Sequence, residues 1–314
     1  MRVISVVIPS FNEGENVHFA YTSVTKVFTE SLPSYSYEII FVDDGSSDDT
    51  FKHIQAICEK DKGVKAIKFL NNVGAHTAIR AGLEHSTGEM AVFLACDMQD
   101  PPDVIPSLIA AMQEPYDIVL AIRKKRKDSL KDKIFSRLFF SLMKSLISAK
   151  LPSEGSSMYL MNERVIKSLR KLQEKNLTLE GMFVLMNYKH TEVTYERKAR
   201  EIGESKWTFS KKIAIMIDFF VAYSYSPIRY VTFVGITISL IGFLWTIYVI
   251  FRTILVGDMS PGWPALVSIL IIGFGVTNIS LGIIAEYLWR TLDEARNRPK
   301  YIIDKVVNME ERTD

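Results

Sequence analysis

The 314-residue sequence contains very little cysteine and histidine. Its two cysteines, Cys58 and Cys96, provide neither a disulfide framework nor the paired thiols of a zinc site. The five histidines are scattered without the spacing of metal ligands. These absences exclude a disulfide-stabilised scaffold and a Cys/His metal domain, and they fit a reducing compartment.

The chain also lacks an excess of one charge. It has 38 basic and 36 acidic residues, for a formal net charge of +2, so the charge balance predicts no nucleic-acid partner. The first residues, Met1 to Ile8, contain no charged segment leading into a long apolar core with a cleavage site. We therefore expect no signal peptide.

The most informative segment that is present joins an apolar strand to a run of polar residues. Ile39 to Val42 leads directly into Asp43, Asp44 and Gly45, followed by Ser46. In an α/β fold the carboxyl end of a strand carries such acids to the ligand crevice, glycine permits a tight turn, and serine caps the next helix. The segment predicts a nucleotide pocket.

Two further strands end in the same way. Val3 to Ile8 precedes Pro9-Ser10-Phe11-Asn12-Glu13, and Met90 to Leu94 precedes Cys96-Asp97-Met98-Gln99-Asp100. Another strand-like run covers Val64 to Phe69, and helix-period stretches cover Asn16 to Glu30, Asp49 to Lys60 and Ala75 to His85. Alternating strands and helices predict a parallel, doubly wound α/β sheet whose ligand lies above the strand ends.

Apolar residues are concentrated near the C-terminus. Tyr230 to Phe251 and Trp263 to Trp289 each exceed the roughly 20 residues that cross a bilayer core. Basic residues flank the outer ends of this pair, so the pattern predicts a transmembrane hairpin with both termini in the cytoplasm. The expected location is the inner (plasma) membrane, as a multi-pass protein with a cytoplasmic catalytic domain.

Two amphipathic stretches precede the hairpin. Ser129 to Lys150 and Phe209 to Tyr225 combine apolar stripes with lysines, which predicts helices at the membrane interface or, alternatively, ordinary helices packed on the sheet. The basic run Arg123 to Lys127 is either a solvated loop or a contact for lipid headgroups or a substrate phosphate.

Five motifs occur in an order that resembles family 2 glycosyltransferases. They are Val7-Ile8-Pro9-Ser10-Phe11-Asn12-Glu13, Val42-Asp43-Asp44-Gly45-Ser46, Asn72-Val73-Gly74, Asp97-Met98-Gln99-Asp100-Pro101-Pro102 and Arg200-Glu201-Ile202-Gly203-Glu204-Ser205-Lys206. Together with the two apolar spans, they are similar to the polyprenyl-phosphate subgroup, which includes bactoprenol glucosyltransferases, undecaprenyl-phosphate aminoarabinose transferase and dolichyl-phosphate mannose synthase. The likeness covers nearly the whole chain.

This resemblance implies a GT-A (Rossmann-like) domain over residues 1–208, an amphipathic juxtamembrane helix over 209–228, two transmembrane helices over 229–289 and a cytoplasmic tail over 290–314. It implies inverting transfer of a sugar from a nucleotide donor, expected to be a UDP-sugar, to a polyprenyl phosphate such as undecaprenyl phosphate for cell-envelope glycan modification. Membrane lipids and a homo-oligomer, a tetramer by family resemblance, are the other implied partners.

The resemblance also assigns roles to particular residues. Nucleotide binding is implied for Pro9, Phe11, Glu13, Asp43 and Asp44, with Asp43 accepting hydrogen bonds from the base. A catalytic role is implied for Asp97, Arg123, Arg200 and Lys206, of which the three cations bind phosphates together with Ser205. Ligation of Mg²⁺ or Mn²⁺ on the donor diphosphate is implied for Asp97 and Gln99.

The implied chemistry agrees with the scarcity of histidine. A phosphomonoester has a second pKa of about 6, so its oxygen attacks the anomeric carbon without a protein base. The leaving nucleoside diphosphate instead needs a divalent metal and preplaced cations.

The sequence departs from the family pattern at two positions. Ala95 replaces the first acid of the usual Asp-x-Asp, and Ser157 stands where many relatives carry a phosphate-binding Asp-Phe-Arg motif. These departures leave a non-catalytic membrane scaffold as an alternative. A processive polysaccharide synthase is a second alternative, although the chain lacks that group's Gln-x-x-Arg-Trp motif and additional spans.

Overall fold

The computed structural model describes residues 2–123, 158–172, 186–196, 226–256, 262–296 and 298–309. The chain divides into two compact units, one formed by Met1–Lys206 with Pro299–Asp314 and the other by Trp207–Arg298. The first unit contains an eight-stranded sheet with its helices, and the second contains two long helices.

The first unit alternates strands and helices along most of its length. Its elements are β1 (Arg2–Ser10), α1 (Gly14–Ser31), β2 (Tyr35–Asp43), α2 (Thr50–Lys60), β3 (Val64–Phe69), α3 (Ala75–His85), β4 (Met90–Phe93), a 3₁₀ turn (Pro102–Val104), α4 (Ile105–Ala111), β5 (Ile118–Arg123), β6 (Met158–Asn162), α5 (Glu163–Lys171) and β7 (His190–Tyr195). The second unit contributes α6 (Ser226–Val256) and α7 (Trp263–Ala295), after which β8 (Ile303–Val307) belongs to the first unit again.

The sheet order is β7-β5-β6-β4-β1-β2-β3-β8. Strands β4, β1, β2 and β3 are mutually parallel. Strand β6 is antiparallel to both β4 and β5, so β5 runs in the same direction as β4, and β7 is parallel to β5. Six strands therefore end at one edge of the sheet, whereas β6 and β8 run in the opposite direction. The predicted doubly wound α/β fold is confirmed.

The core explains why these segments form strands. Ile4, Val6 and Ile8 of β1 are fully buried and pack in one cluster with Val24 and Phe28 of α1. Strands covered by helices on both faces read as continuous apolar runs, as β1 and β2 do here. The chain places β2 and β3 on one side of β1 and β4 on the other, so the order reverses beside β1, where α/β folds bind ligands.

The apolar C-terminal segments form helices, as the sequence predicted. However, among the described residues no helix combines the length and hydropathy needed to cross a membrane, so the structure does not support the expected transmembrane hairpin. Many large apolar side chains of α6 and α7 are exposed, among them Tyr230, Phe233, Leu255, Phe274 and Ile279.

The expected C-terminal tail contains a strand that the sequence did not predict. Strand β8 pairs antiparallel with β3 and completes the edge of the sheet. The ring of Tyr301 stacks on Phe69 with the centroids 4.7 Å apart, and its hydroxyl donates to Glu84 at 2.8 Å. Residues after α7 therefore return to the sheet and protect the edge of β3.

Candidate functional site

The candidate site is formed by the carboxyl ends of β1, β2, β4 and β5, which lie at the same edge of the sheet, and by the described residues that follow β1, β2 and β4. Every predicted site residue within the described ranges lies in these strand ends or in the residues that follow them. Arg200, Ser205, Lys206 and Ser157 lie outside the described residues, as do residues 124–150 and 209–225 with their predicted amphipathic helices.

The loops after β1 and β2 are tied together by polar side chains. The Asn12 backbone N–H donates to Ser46 Oγ at 2.9 Å, and the Asn12 side-chain oxygen Oδ1 accepts from the Ser47 backbone N–H at 3.0 Å. The Glu13 N–H donates to Thr50 Oγ1 at 2.9 Å. Asn12 itself has φ of 52°, a left-handed conformation that asparagine tolerates. These bonds fix Phe11 and Glu13 relative to the acids of β2.

Asp43 is the last residue of β2 and is completely buried. Its Oδ1 accepts from the Ser46 N–H at 3.1 Å, whereas Oδ2 has no hydrogen-bond partner among the described residues. Burial raises the pKa of Asp43, against the opposing effects of the Ser46 bonds and of the nearby Lys68 cation. A buried carboxylate oxygen without a donor is costly, so this atom is suited to accept a hydrogen bond from a ligand.

Lys68 lies beside Asp43 in register on β3 and was not singled out in the sequence. Its ammonium lies 5.2 Å from the centroid of the Phe51 ring. Lys68 thus places a positive charge near the Asp43 carboxylate. A ligand with an N–H group beside a carbonyl would match this pair.

Asp44, which is predicted to contact the nucleotide, is bonded to a neighbouring loop. Its two carboxylate oxygens accept the N–H groups of Val73 and Gly74, both at 2.8 Å. Burial raises the pKa of Asp44, although these two bonds act in the opposite direction. The structure therefore uses Asp44 to hold the Asn72-Val73-Gly74 loop against the end of β2.

Gly45 is required at this turn. Its φ is 70°, and a Cβ atom at this position would lie 2.7 Å from the carbonyl carbon of Asn71. A larger residue would push the loop away from Asp44. The Asp-Asp-Gly sequence thus supplies one acid that is suited to a ligand, one acid that anchors the loop, and the space that the loop needs.

Asp97 and Gln99 lie in the loop after β4. The Gln99 N–H donates to Asp97 Oδ1 at 3.2 Å, and Met98 between them is buried with φ of 49°. Among the described residues there is no group of three acidic, histidine or cysteine side chains around a potential metal. One carboxylate and one amide oxygen still fit Mg²⁺ or Mn²⁺, because such ions take most of their remaining ligands from phosphates and water at nucleotide sites. Ala95 contributes no ligand.

Cys96 does not add a reactive thiol to this loop. Its side chain is buried, and burial raises its pKa to about 12. The thiol therefore stays protonated near neutral pH, where it is neither a nucleophile nor a good metal ligand.

Arg123 ends β5 and forms part of a buried cluster that the sequence did not reveal. Its Nη2 lies 3.6 Å from Asp100 Oδ2, and its Nε donates to the hydroxyl of Tyr195 at 3.4 Å. The Tyr195 hydroxyl in turn donates to Asp100 Oδ1. Tyr195 closes the alternating run of β7, but a terminal tyrosine of a strand carries no signal of such a contact in the sequence.

Three features meet at one edge of the doubly wound sheet. They are the buried Asp43 carboxylate, one oxygen of which accepts no hydrogen bond from the described residues, the loop with the oxygen-bearing side chains of Asp97 and Gln99, and the Arg123 cation. This combination defines a nucleotide-binding α/β enzyme. The chain belongs to glycosyl transferase family 2, whose model matches residues 5–170. It is a glycosyltransferase that uses a nucleotide-sugar donor.

Relatives of this chain confirm the predicted subgroup. It is 34% identical to the prophage bactoprenol glucosyl transferase homolog of Escherichia coli (strain K12), over 96% of this chain and 99% of the relative. It is also 34% identical to the bactoprenol glucosyl transferase of Shigella phage SfII, over 96% and 97% of the two chains.

Solved structures show a more distant similarity. Glucosyl-3-phosphoglycerate synthase from Mycobacterium tuberculosis, in complex with phosphoglyceric acid, covers 71% of this chain and 80% of its own, with 17% identity and a TM-score of 0.49.

Proposed function

We propose that this protein transfers a sugar, with inversion, from a UDP-sugar to a polyprenyl phosphate such as undecaprenyl phosphate, and so supplies a lipid-linked sugar for cell-envelope glycans. The observation that carries the proposal is the unsatisfied Oδ2 of the buried Asp43 at the nucleotide edge of the sheet. Two of the relatives that align over 96% of this chain are named bactoprenol glucosyl transferases, which supports the lipid acceptor.

The geometry around Asp43 favours uracil as the base. Oδ1 already accepts from the Ser46 N–H, so Oδ2 is the one carboxylate oxygen that accepts no hydrogen bond from the described residues. Uracil presents one ring N–H between two carbonyls, so the N–H pairs with Oδ2 and a carbonyl faces the Lys68 cation. Guanine presents two adjacent N–H donors and needs two free acceptors. Adenine has no N–H beside a carbonyl.

The remaining chemistry requires charge stabilisation rather than a protein base. The acceptor phosphate is largely ionised near neutral pH, so it acts as the nucleophile itself. Asp97 and Gln99 would hold Mg²⁺ or Mn²⁺, which would neutralise charge on the departing diphosphate. Arg123 supplies a fixed positive charge at the same edge of the sheet.

A lipid acceptor requires the protein to work at a membrane surface. The exposed apolar side chains of α6 and α7 support such an association, because large exposed apolar surfaces mark lipid or protein contacts. We propose the cytoplasmic face of the inner membrane, since basic residues flank the outer ends of the two apolar segments.

The test uses the purified full-length chain in detergent with undecaprenyl phosphate and a panel of labelled UDP-, GDP- and ADP-sugars, each with and without Mg²⁺ or Mn²⁺. We expect one UDP-sugar to give a labelled lipid whose anomeric configuration, determined by NMR, is opposite to that of the donor. Asp97→Ala should abolish transfer. Glu89→Gln is the matched control, because Glu89 is an exposed acid at the opposite end of β4 that pairs with Arg2.

Several results would contradict the proposal. Binding of nucleotide without transfer to any lipid would favour the scaffold, for which Ala95 is the structural argument. A long polymer product would favour the processive synthase. Full activity in excess chelator, or in the Asp97→Ala variant, would remove the metal from the reaction.

A further inference from the structure

We propose that Tyr195 and Asp100 are positioning residues that hold the Arg123 guanidinium toward a phosphate group of the substrates. The proposal rests on the proposed function only in that it takes the substrates to be a nucleotide sugar and a lipid phosphate. It concerns Tyr195 and Asp100, whose side chains neither composition nor motif spacing brought together.

The three side chains contact one another. Asp100 uses both carboxylate oxygens, with Oδ1 accepting from the Tyr195 hydroxyl and Oδ2 lying 3.6 Å from Arg123 Nη2. The Tyr195 oxygen accepts from Arg123 Nε at 3.4 Å. A guanidinium that contacts two neighbours along its Nε–Nη2 side is fixed in its plane as well as in its position.

Burial gives these contacts their strength. The side chain of Asp100 is 4% exposed, and Tyr195 is also buried. The Arg123 side chain is 20% exposed, and its Nη1 forms no hydrogen bond within the part of the chain that the structure describes. One side of the guanidinium is therefore anchored in the protein, while Nη1 on the other side keeps N–H donors that no described residue accepts.

The position of the cluster indicates the ligand. Asp100 ends the loop that carries Asp97 and Gln99, and Arg123 ends β5 at the same edge of the sheet. Tyr195 ends β7, immediately before the segment with Arg200 and Lys206. A planar cation with free donors at this edge is complementary to a phosphate group. That phosphate belongs either to the donor diphosphate or to the lipid acceptor.

The contacts also explain why an acid lies next to a cation that must bind anions. Asp100 lowers the net charge of the cluster, which weakens long-range attraction for phosphate. In return it prevents Arg123 from adopting the many rotamers of a free arginine, so less entropy is lost when the phosphate binds. We expect the gain to appear in the geometry of the transition state.

The experiment is a double-mutant cycle on the full-length chain, with the nucleotide sugar that the donor panel identifies. Tyr195→Phe keeps the ring and removes the hydroxyl, and Arg123→Met removes the cation. We expect Tyr195→Phe to slow transfer by about tenfold, the value of one hydrogen bond to a charged group. In the Arg123→Met background the same change should have less than about a twofold effect, because the group that it positions is absent.

Tyr188→Phe is the matched control. Tyr188 also donates from its hydroxyl, to Ser168 Oγ at 2.6 Å, but it precedes β7 and lies at the opposite end of that strand from Tyr195. Its effect on transfer should be small in both backgrounds. Thermal unfolding of all variants separates loss of stability from loss of positioning. Asp100→Asn, which retains an acceptor for Tyr195 but loses the charge that orients Arg123, should slow transfer as Tyr195→Phe does.

Two measurements show whether Arg123 faces the phosphate of the donor or that of the lipid acceptor. If Arg123 faces the donor diphosphate, Arg123→Met and Tyr195→Phe will reduce the preference for UDP over uridine, measured by calorimetry. If it faces the acceptor, they will raise KM for undecaprenyl phosphate and leave that preference unchanged. The proposal is overturned if neither quantity changes, if Tyr195→Phe transfers sugar at the wild-type rate, or if the two substitutions are additive. A wild-type chain with no transferase activity would instead contradict the proposed function.

Discussion

At the scale of single residues, the two adjacent acids of β2 illustrate how environment separates roles. Asp43 and Asp44 are both buried at the end of the same strand. Both oxygens of Asp44 accept backbone N–H groups, whereas one oxygen of Asp43 has no partner in the part of the chain that the structure describes. The protein thus holds one carboxylate in a state that is unfavourable until a ligand supplies a donor, a common cost of binding sites.

Asp43→Asn should separate stability from binding. Burial raises the pKa of Asp43 in the folded state, so the ionised group costs stability at neutral pH, and wild-type stability falls as pH rises through that pKa. The asparagine removes this cost, so the nucleotide-free variant should have a higher Tm at pH 7. Its affinity for UDP should fall by at least about tenfold, since the charged acceptor is lost.

Thermal unfolding between pH 4 and pH 8 and calorimetry with UDP provide the two measurements. Asp49→Asn is the control, because Asp49 is an exposed acid at the start of α2 and should change neither quantity appreciably. Unchanged UDP affinity in Asp43→Asn would show that the base lies elsewhere.

At the scale of elements, β8 and the residue before it contact β3 and Leu70 within the first unit. The Leu70 N–H donates to the Ile302 carbonyl at 3.0 Å, and Tyr301 stacks on Phe69. Leu70 leads directly into the Asn72-Val73-Gly74 loop that Asp44 holds. The C-terminal strand therefore supports a loop of the candidate site from the outer edge of the sheet.

Tyr301→Ala should loosen this loop. We expect faster hydrogen exchange at residues 70–74, and UDP affinity lower by about threefold, because ordering the loop then costs more entropy on binding. Asn308→Ala is the control at the other end of β8, where the Asn308 amide donates to the carbonyls of Cys58 and Val64 at 2.7 and 2.8 Å. It should lower Tm without changing exchange at residues 70–74. Equal exchange in both variants would contradict a link between β8 and the loop.

At the scale of the whole sheet, the two edges have different chemistry. The carboxyl edge carries the site, whereas the amino edge is held by Glu38, which accepts hydrogen bonds from Ser5, Lys65 and the backbone and hydroxyl of Thr87. Burial raises the pKa of Glu38, but these bonds together outweigh it and leave that pKa below its ordinary value of 4.5. One carboxylate thus links three strands and the turn before β4.

Glu38→Gln should change how the protein responds to acid. Because the folded pKa is depressed, the ionised Glu38 stabilises the fold above the ordinary value, and this contribution is lost as pH falls below about 4.5 through the folded pKa. The variant should lose about 3 kcal/mol at pH 7, as when one partner of a buried ion pair is removed, and should show a flatter decline in acid. Denaturant unfolding at pH 3 to 7 measures both effects. Parallel pH profiles for the two proteins would refute this assignment.

The sequence by itself determined the α/β alternation and the strands whose ends carry the candidate site, and it predicts Asp43, Asp97 and Gln99 as site residues. Local signals suffice for these features, because apolar runs, a glycine turn and polar strand ends are all encoded within a few neighbouring positions. The helix bounds of α2 and α3 were predicted for the same reason. The transmembrane hairpin is the structural prediction that the described residues do not support.

Only the tertiary structure decided how equivalent-looking residues differ. Asp43 and Asp44 are chemically identical in the sequence. In the fold, Asp44 accepts two backbone N–H groups from a loop nearly 30 residues later, and Asp43 accepts neither of them. Arg123, Asp100 and Tyr195 meet although 95 positions separate the last two, since β5 and β7 are neighbours in the sheet. Strand β8 likewise depends on a partner more than 230 positions away. Such contacts arise from strand order, which depends on the free energy of the whole fold and not on any local segment.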